Sequence, residues 1–157
     1  TQKNQILLII TISVAILFFF FILSCIRARD AVFSYAGVFL YLLTIIPHEL
    51  LHAICFKDDV YMFHDLKHGM VFMAGPERMS KGHFIFKCLL PSIVLGFIPF
   101  IIFWINPKLT VLATLGMLGI ATAAGDFYNV RNALRQVPKG GRIYQHKYDT
   151  FWYMPEK

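Results

Sequence analysis

The chain has 157 residues, 57% of them hydrophobic and 15% charged, with sixteen Phe and a formal charge of +6. A soluble domain of this length cannot hide so much apolar surface, so the composition excludes an ordinary water-soluble globule and points to a membrane protein. No RNA- or DNA-binding module pattern accompanies the positive charge, so nucleic acid is not an expected partner.

The first apolar run, residues 6–26, carries no charge. At ~1.5 Å per residue it is about 32 Å long, enough to cross a bilayer core. It ends in Ser24-Cys25-Ile26-Arg27-Ala28-Arg29, with no small-residue cleavage site, so it reads as a retained span and not as a signal peptide. The sequence begins at Thr1 and not at Met, which leaves room for a preceding segment. A second span is predicted over about 31–56, with Pro47 removing a helix hydrogen bond inside it. A third follows over about 84–105, interrupted by Pro91 and Pro99, and a fourth over about 109–128. Short links at 27–30 and 106–108 join these into two helical hairpins.

The segment 57–83 separates the hairpins. Within it, 60–63 and 69–76 read as two short apolar strands joined by a turn. Their edge suits an extended peptide by strand addition; a hairpin that only plugs the site is the alternative. The tail begins helical, breaks at Pro138-Lys139-Gly140-Gly141 and continues rich in aromatic and basic residues, a composition that suits anionic headgroups. The expected fold is an all-α membrane protein. It forms a single domain over 1–157, with four transmembrane helices, a short β-hairpin-like loop between spans two and three, and a basic cytoplasmic tail over 129–157.

Twelve of the fifteen Lys and Arg fall on the side that holds the N-terminus, the segment around 57–87 and the tail; only Arg27, Arg29 and Lys108 fall on the other. The positive-inside rule then predicts a multi-pass protein of the cell membrane with both termini cytoplasmic.

The second span contains His48-Glu49-Leu50-Leu51-His52. On a helix, residues i and i+4 share a face, so two imidazoles can grip one zinc ion while the adjacent carboxylate reaches the metal-bound water. Ionisable residues at such depth are costly unless they face a polar interior. A catalytic zinc takes three protein ligands and leaves one position open. Asp126, at the inner end of span four, is the candidate third ligand. It lies at a depth similar to that of the histidines, behind the small-residue run Gly116-Met117-Leu118-Gly119-Ile120-Ala121-Thr122-Ala123-Ala124-Gly125, which permits close helix approach. Glu49 is the candidate general base, and Asn129, one turn beyond Asp126, the candidate for orienting substrate or the oxyanion. Polar bonding between helices is the competing role for His48 and His52, pairing with Arg131 or Arg135 that for Asp126, and helix-end hydrogen bonding that for Asn129. His64, His68, His83 and His146 lack helical pairing and read as surface residues, with His64 and His68 the next candidates for a metal contact. Cys25, Cys55 and Cys88 are too few and too scattered for a disulfide framework and read as small apolar residues.

The motif pair His48-Glu49-Leu50-Leu51-His52 and Gly125-Asp126-Phe127-Tyr128-Asn129 resembles that of intramembrane zinc metalloproteases of the site-2 type. It is closer still to a family of small four-span bacterial membrane proteins known as zincin peptidases. The resemblance covers roughly 31–137. It implies a bacterial cytoplasmic membrane, His48, His52 and Asp126 as Zn2+ ligands, Glu49 as the catalytic acid/base, and a membrane-bound protein or peptide as substrate. One departure is that Asp126 is followed by Phe127, where site-2 proteases usually carry Gly. Two readings from other classes fit the same residues: a membrane protein with a structural or sensory metal site, and a partner-binding or immunity-type protein on the same fold. Glu49 separates them from the enzyme, because a purely structural zinc has no use for a free carboxylate beside its first ligand.

Overall fold

The computed structural model describes residues 2–65, 70–146 and 149–156. Helix α1, Gln2–Ala28, is followed by a reversal in which Arg29 adopts φ 59° and the Asp30 carboxylate accepts the Ala31 N–H. Ser34 then caps α2, Tyr35–Leu43, by accepting the Gly37 N–H, while its own N–H donates to the buried Thr114 hydroxyl at 2.9 Å. A second short helix, α3, Ile45–Ala53, follows at once. The predicted single span over 31–56 is therefore two helices broken at Thr44. Pro47 has no N–H for the Leu43 carbonyl, and the Thr44 hydroxyl and N–H both turn back to Tyr41 O, tightening the turn there.

Strands β1, Tyr61–Asp65, and β2, Met70–Ala74, pair antiparallel with Tyr61 opposite Ala74 and Asp65 opposite Met70, which is the expected hairpin. The turn predicted between them includes 66–69, with His68, and lies outside the described residues. A two-residue strand β3, Met79–Ser80, leads into α4, Lys81–Ser92, capped by the Ser80 hydroxyl. A π-helical turn over Ile93–Phe97 then joins α4 to α5, Ile98–Ile105, which carries Pro99 in its first turn. Helices α6, Thr110–Thr122, and α7, Ala124–Gln136, are bent by 44° at Ala123. This corrects the expectation of one continuous fourth span: Asp126 stands in the first turn of a new helix. The carbonyl of Ala121, at the bend, accepts the Ser13 hydroxyl of α1 at 2.8 Å.

The all-α expectation is corrected by a second sheet. In the tail, β4, Arg142–His146, and β5, Asp149–Tyr153, form a hairpin that adds β3 to give the sheet order β3-β4-β5. Ile143 of β4 is 1% exposed and packs with Met79, Phe84, Cys88, Ala133 and Val137 under α4 and α7. The chain is thus mostly helical with small antiparallel sheets. Three of its helical stretches are long and apolar enough to cross a membrane, or four if the bent pair α6–α7 is one. Cys55 and Cys88 are buried, Cys25 partly so, and all three are free thiols.

Helix α6 is the centre of the bundle, against α1, α2, α5 and the π turn. Its glycines set the spacing. A Cβ on Gly119 would stand 2.6 Å from the Leu95 carbonyl oxygen, and one on Gly116 would stand 2.8 Å from both the Gly96 carbonyl oxygen and the Phe100 nitrogen. These neighbours are backbone and cannot rotate away. Gly119→Ala is therefore expected to destabilise the fold by about 1–3 kcal/mol, whereas Gly82→Ala, where nothing lies within 4 Å, is neutral or slightly stabilising; thermal unfolding in detergent measures both.

Candidate metal centre

Helix α3 presents His48 and His52 one turn apart, with ring centroids 5.0 Å from each other and planes at 81°. The first turn of α7 brings Asp126 between them. His48 Nε2 lies 3.4 Å from Asp126 Oδ2, and His52 Nε2 lies 3.4 Å from Asp126 Oδ1. The side chains are only 11–23% exposed. These separations are longer than good N–H···O hydrogen bonds. They match the edge of a tetrahedron whose bonds to a central ion are ~2.0–2.1 Å, which is about 3.3–3.4 Å. The donor set and its spacing therefore fit a zinc ion.

Two of the groups, His52 and Glu49, have a backbone partner. The Lys87 carbonyl lies 3.0 Å from His52 Nδ1. A carbonyl only accepts, so Nδ1 carries the proton and Nε2 is left available to a metal at the centre. The Glu49 carboxylate accepts the Met73 N–H of β2 at 3.0 Å. Ligand atoms of His48, Glu49 and His52 also lie within 4.8 Å of one another, so Glu49 borders the same centre. Its tie to Met73 distinguishes it from Asp126, which meets both imidazoles.

Asn129 is half-buried on α7, three residues past Asp126, and its side chain makes no hydrogen bond among the described residues. His83 lies in the first turn of α4 and donates its N–H to Ser80. The side chains of His64 and His146 lie outside what is described.

Sequence reasoning missed Lys87, which it counted among the loop cations. Lys87 is 3% exposed inside α4, with its ammonium 4.8 Å from the Phe56 ring centroid and 5.2 Å from that of Phe84, and it donates to Gln145 Oε1 of β4. A cation inside an otherwise apolar span was the available signal. The Met73 amide and the Lys87 carbonyl, being backbone atoms, carry no signal in residue type.

Residues 41–141 match the family described as "Putative zincin peptidase". The chain belongs to this family. No curated protein and no solved structure matches the chain. The matched range runs from the end of α2 to the threshold of β4 and contains the whole constellation. Membership of a zincin family implies zinc and a metallopeptidase, and the spacing of His48, Glu49 and His52 agrees with it. The zincin chain, purified in detergent, is expected to carry about one zinc, by analogy with three-ligand catalytic sites. His48→Ala, His52→Ala and Asp126→Ala should each lose it by metal mass spectrometry. Stoichiometric zinc in Asp126→Ala would remove that residue from the ligand set.

Proposed function

We propose that the chain is a membrane-embedded zinc metallopeptidase, related to site-2-type enzymes, that hydrolyses a peptide bond in or near the inner face of the membrane. The observation that carries this is the meeting of two imidazole nitrogens and one carboxylate at 3.4 Å, with a further carboxylate beside them. His48, Glu49 and His52 stand in a helical stretch apolar enough for a bilayer, and Asp126 stands in the bent pair α6–α7, which is so only when the pair is one span. In this reading His48, His52 and Asp126 hold the metal. Bound zinc supplies an acidified water and polarises the substrate carbonyl. Glu49 would serve as the base that takes a proton from the attacking water and as the acid that gives it to the leaving amine nitrogen. The Met73 N–H holds the Glu49 carboxylate in place between turnovers, and the Lys87 carbonyl keeps His52 Nε2 aimed at the centre. Asn129 is assigned to steady the substrate or the oxyanion from α7.

The edge of β2 supports a peptide substrate. Met73 donates to Glu49, so its N–H points away from β1, and the edge not paired with β1 faces the site. An extended peptide laid there would cross in front of Glu49. The distribution of Lys and Arg supports cytoplasmic termini, which would put the site at the inner leaflet of a bacterial cell membrane.

Glu49→Gln is expected to keep its zinc and lower kcat by ~10²–10⁴, read as cleavage of membrane-bound peptides by detergent-purified enzyme. Zinc-loaded wild type that cuts nothing under the same conditions would transfer the site to the structural or sensory reading. Topology is checked separately. Single cysteines at 139 and at 29 in a Cys-free chain should react with impermeant maleimide from the cytoplasmic and the opposite face respectively.

A further inference from the structure

A second candidate site lies beside the C-terminal hairpin. A cavity of about 480 Å³ is lined by Pro76, Arg78, Tyr144, Gln145 and Tyr153. It lies between the segment that follows β2 and the C-terminal hairpin, and its volume is in the range of small-ligand pockets. Its polar groups are biased toward donors. Arg78 stacks its guanidinium 5.5 Å from the Tyr153 ring centroid and has no acidic partner among the described residues. The nearest acid in sequence, Glu77, is occupied by the Lys57 and Asp58 N–H groups. Gln145 gives its carbonyl oxygen to Lys87, which leaves its two amide N–H donors for the cavity. Tyr144 and Tyr153 add hydroxyls. A guanidinium, an amide NH₂ and two phenols, with no carboxylate among the lining residues, call for an acceptor-only anion.

Two connections tie the cavity to the centre. Pro76, on the cavity wall, stands three residues beyond Met73, the residue bonded to Glu49, a separation along the chain of at most about 10 Å. Gln145, on the cavity wall, bonds Lys87, whose carbonyl holds His52. We propose that this cavity is a specificity subsite that takes an Asp or Glu side chain of the substrate peptide about three residues from the scissile bond. The inference rests on the peptidase reading above. It adds a substrate class: peptides with an acidic residue at a fixed distance from the cut.

The test offers randomised synthetic peptides of fixed length to the zinc-loaded full chain and sequences the cut products by mass spectrometry. Acidic residues should be enriched about tenfold or more at a single position two to four residues from the cut, the scale of a charge-assisted hydrogen bond. Arg78→Lys should keep the enrichment, Arg78→Ala should lose it, and Arg78→Glu should replace it with Lys or Arg. The same library is presented for capture to Glu49→Gln protein, with and without Arg78→Glu, so that selection is read without turnover. Acidic capture by Glu49→Gln with no cleavage by wild type would keep the subsite and overturn the peptidase. No acidic enrichment in either format, or enrichment unmoved by Arg78→Glu, overturns the subsite. Peptide selection unmoved while Arg78→Glu loses binding to phosphatidylglycerol vesicles overturns it in favour of a lipid phosphate.

Discussion

The approach of Asp126 to His48 and His52 is the contact on which the site depends, and it is the end point of a chain of packing constraints. Three ionisable groups partly withdrawn from water are expensive apart and tolerable only together or on a metal. To meet, α3 and α7 must converge although they come from different ends of the chain. Gly96, Gly116 and Gly119 let α6 sit against the π turn and α5 at backbone distance. Gly37 does the same for α2, where a Cβ would stand 2.6 Å from Thr114 Cβ. The bend at Ala123 then turns α7 so that its first turn, and not its flank, faces α3. Ser13 from α1 donates to the Ala121 carbonyl at the bend, which also accepts the Ala123 N–H, so α1 is tied to the break.

Lys87 shows how closely the rest of the molecule is tied to that contact. Burying an ammonium costs several kcal/mol. Two aromatic faces return about 0.5–2 kcal/mol, and a single amide oxygen adds a charge-assisted hydrogen bond. These do not make Lys87 a stabilising choice over an apolar residue of the same length. Its charge also interacts with Asp126 and Glu49, so it offsets the negative charge gathered at the centre while its carbonyl fixes the His52 ring. Gln145, which receives the ammonium, belongs to β4. The C-terminal hairpin is thereby tied to α4 through the residue whose carbonyl meets His52, although it lies beyond the family match, which ends at residue 141.

How much of this the sequence could show depends on the kind of signal each feature leaves. The pair His48 and His52 is readable because four-residue spacing maps directly onto one helix face. Asp126 is readable because a lone acid stands out in an apolar run. The β1–β2 hairpin is readable from its apolar strands. The break at Thr44 and the bend at Ala123 are not: Pro47 marks a disturbance without saying whether the helix kinks or restarts, and no proline or charge marks Ala123. The β3-β4-β5 sheet is hidden for a different reason. Strand β3 is two residues long and pairs across more than sixty residues of chain with β4, whose aromatic and basic residues suit a membrane surface as well as a strand. Lys87 was legible as an anomaly but was absorbed into a charge count, where its position within α4 was lost.

The hydrogen bond from Met73 to Glu49 also constrains how a peptide can use β2. In an antiparallel hairpin, alternate residues turn both backbone groups to the same edge. With the Met73 N–H directed at Glu49, its carbonyl and the backbone groups of Val71 face the same way, and Phe72 pairs inward with Phe63. A peptide strand laid on that edge would find the Met73 carbonyl and Val71 available but the Met73 N–H already taken. Either it pairs around that donor, leaving Glu49 anchored, or it displaces the carboxylate and frees it to meet the water. In the second case peptide binding itself would release the base, so a substrate too short to reach Met73 would lose kcat as well as affinity.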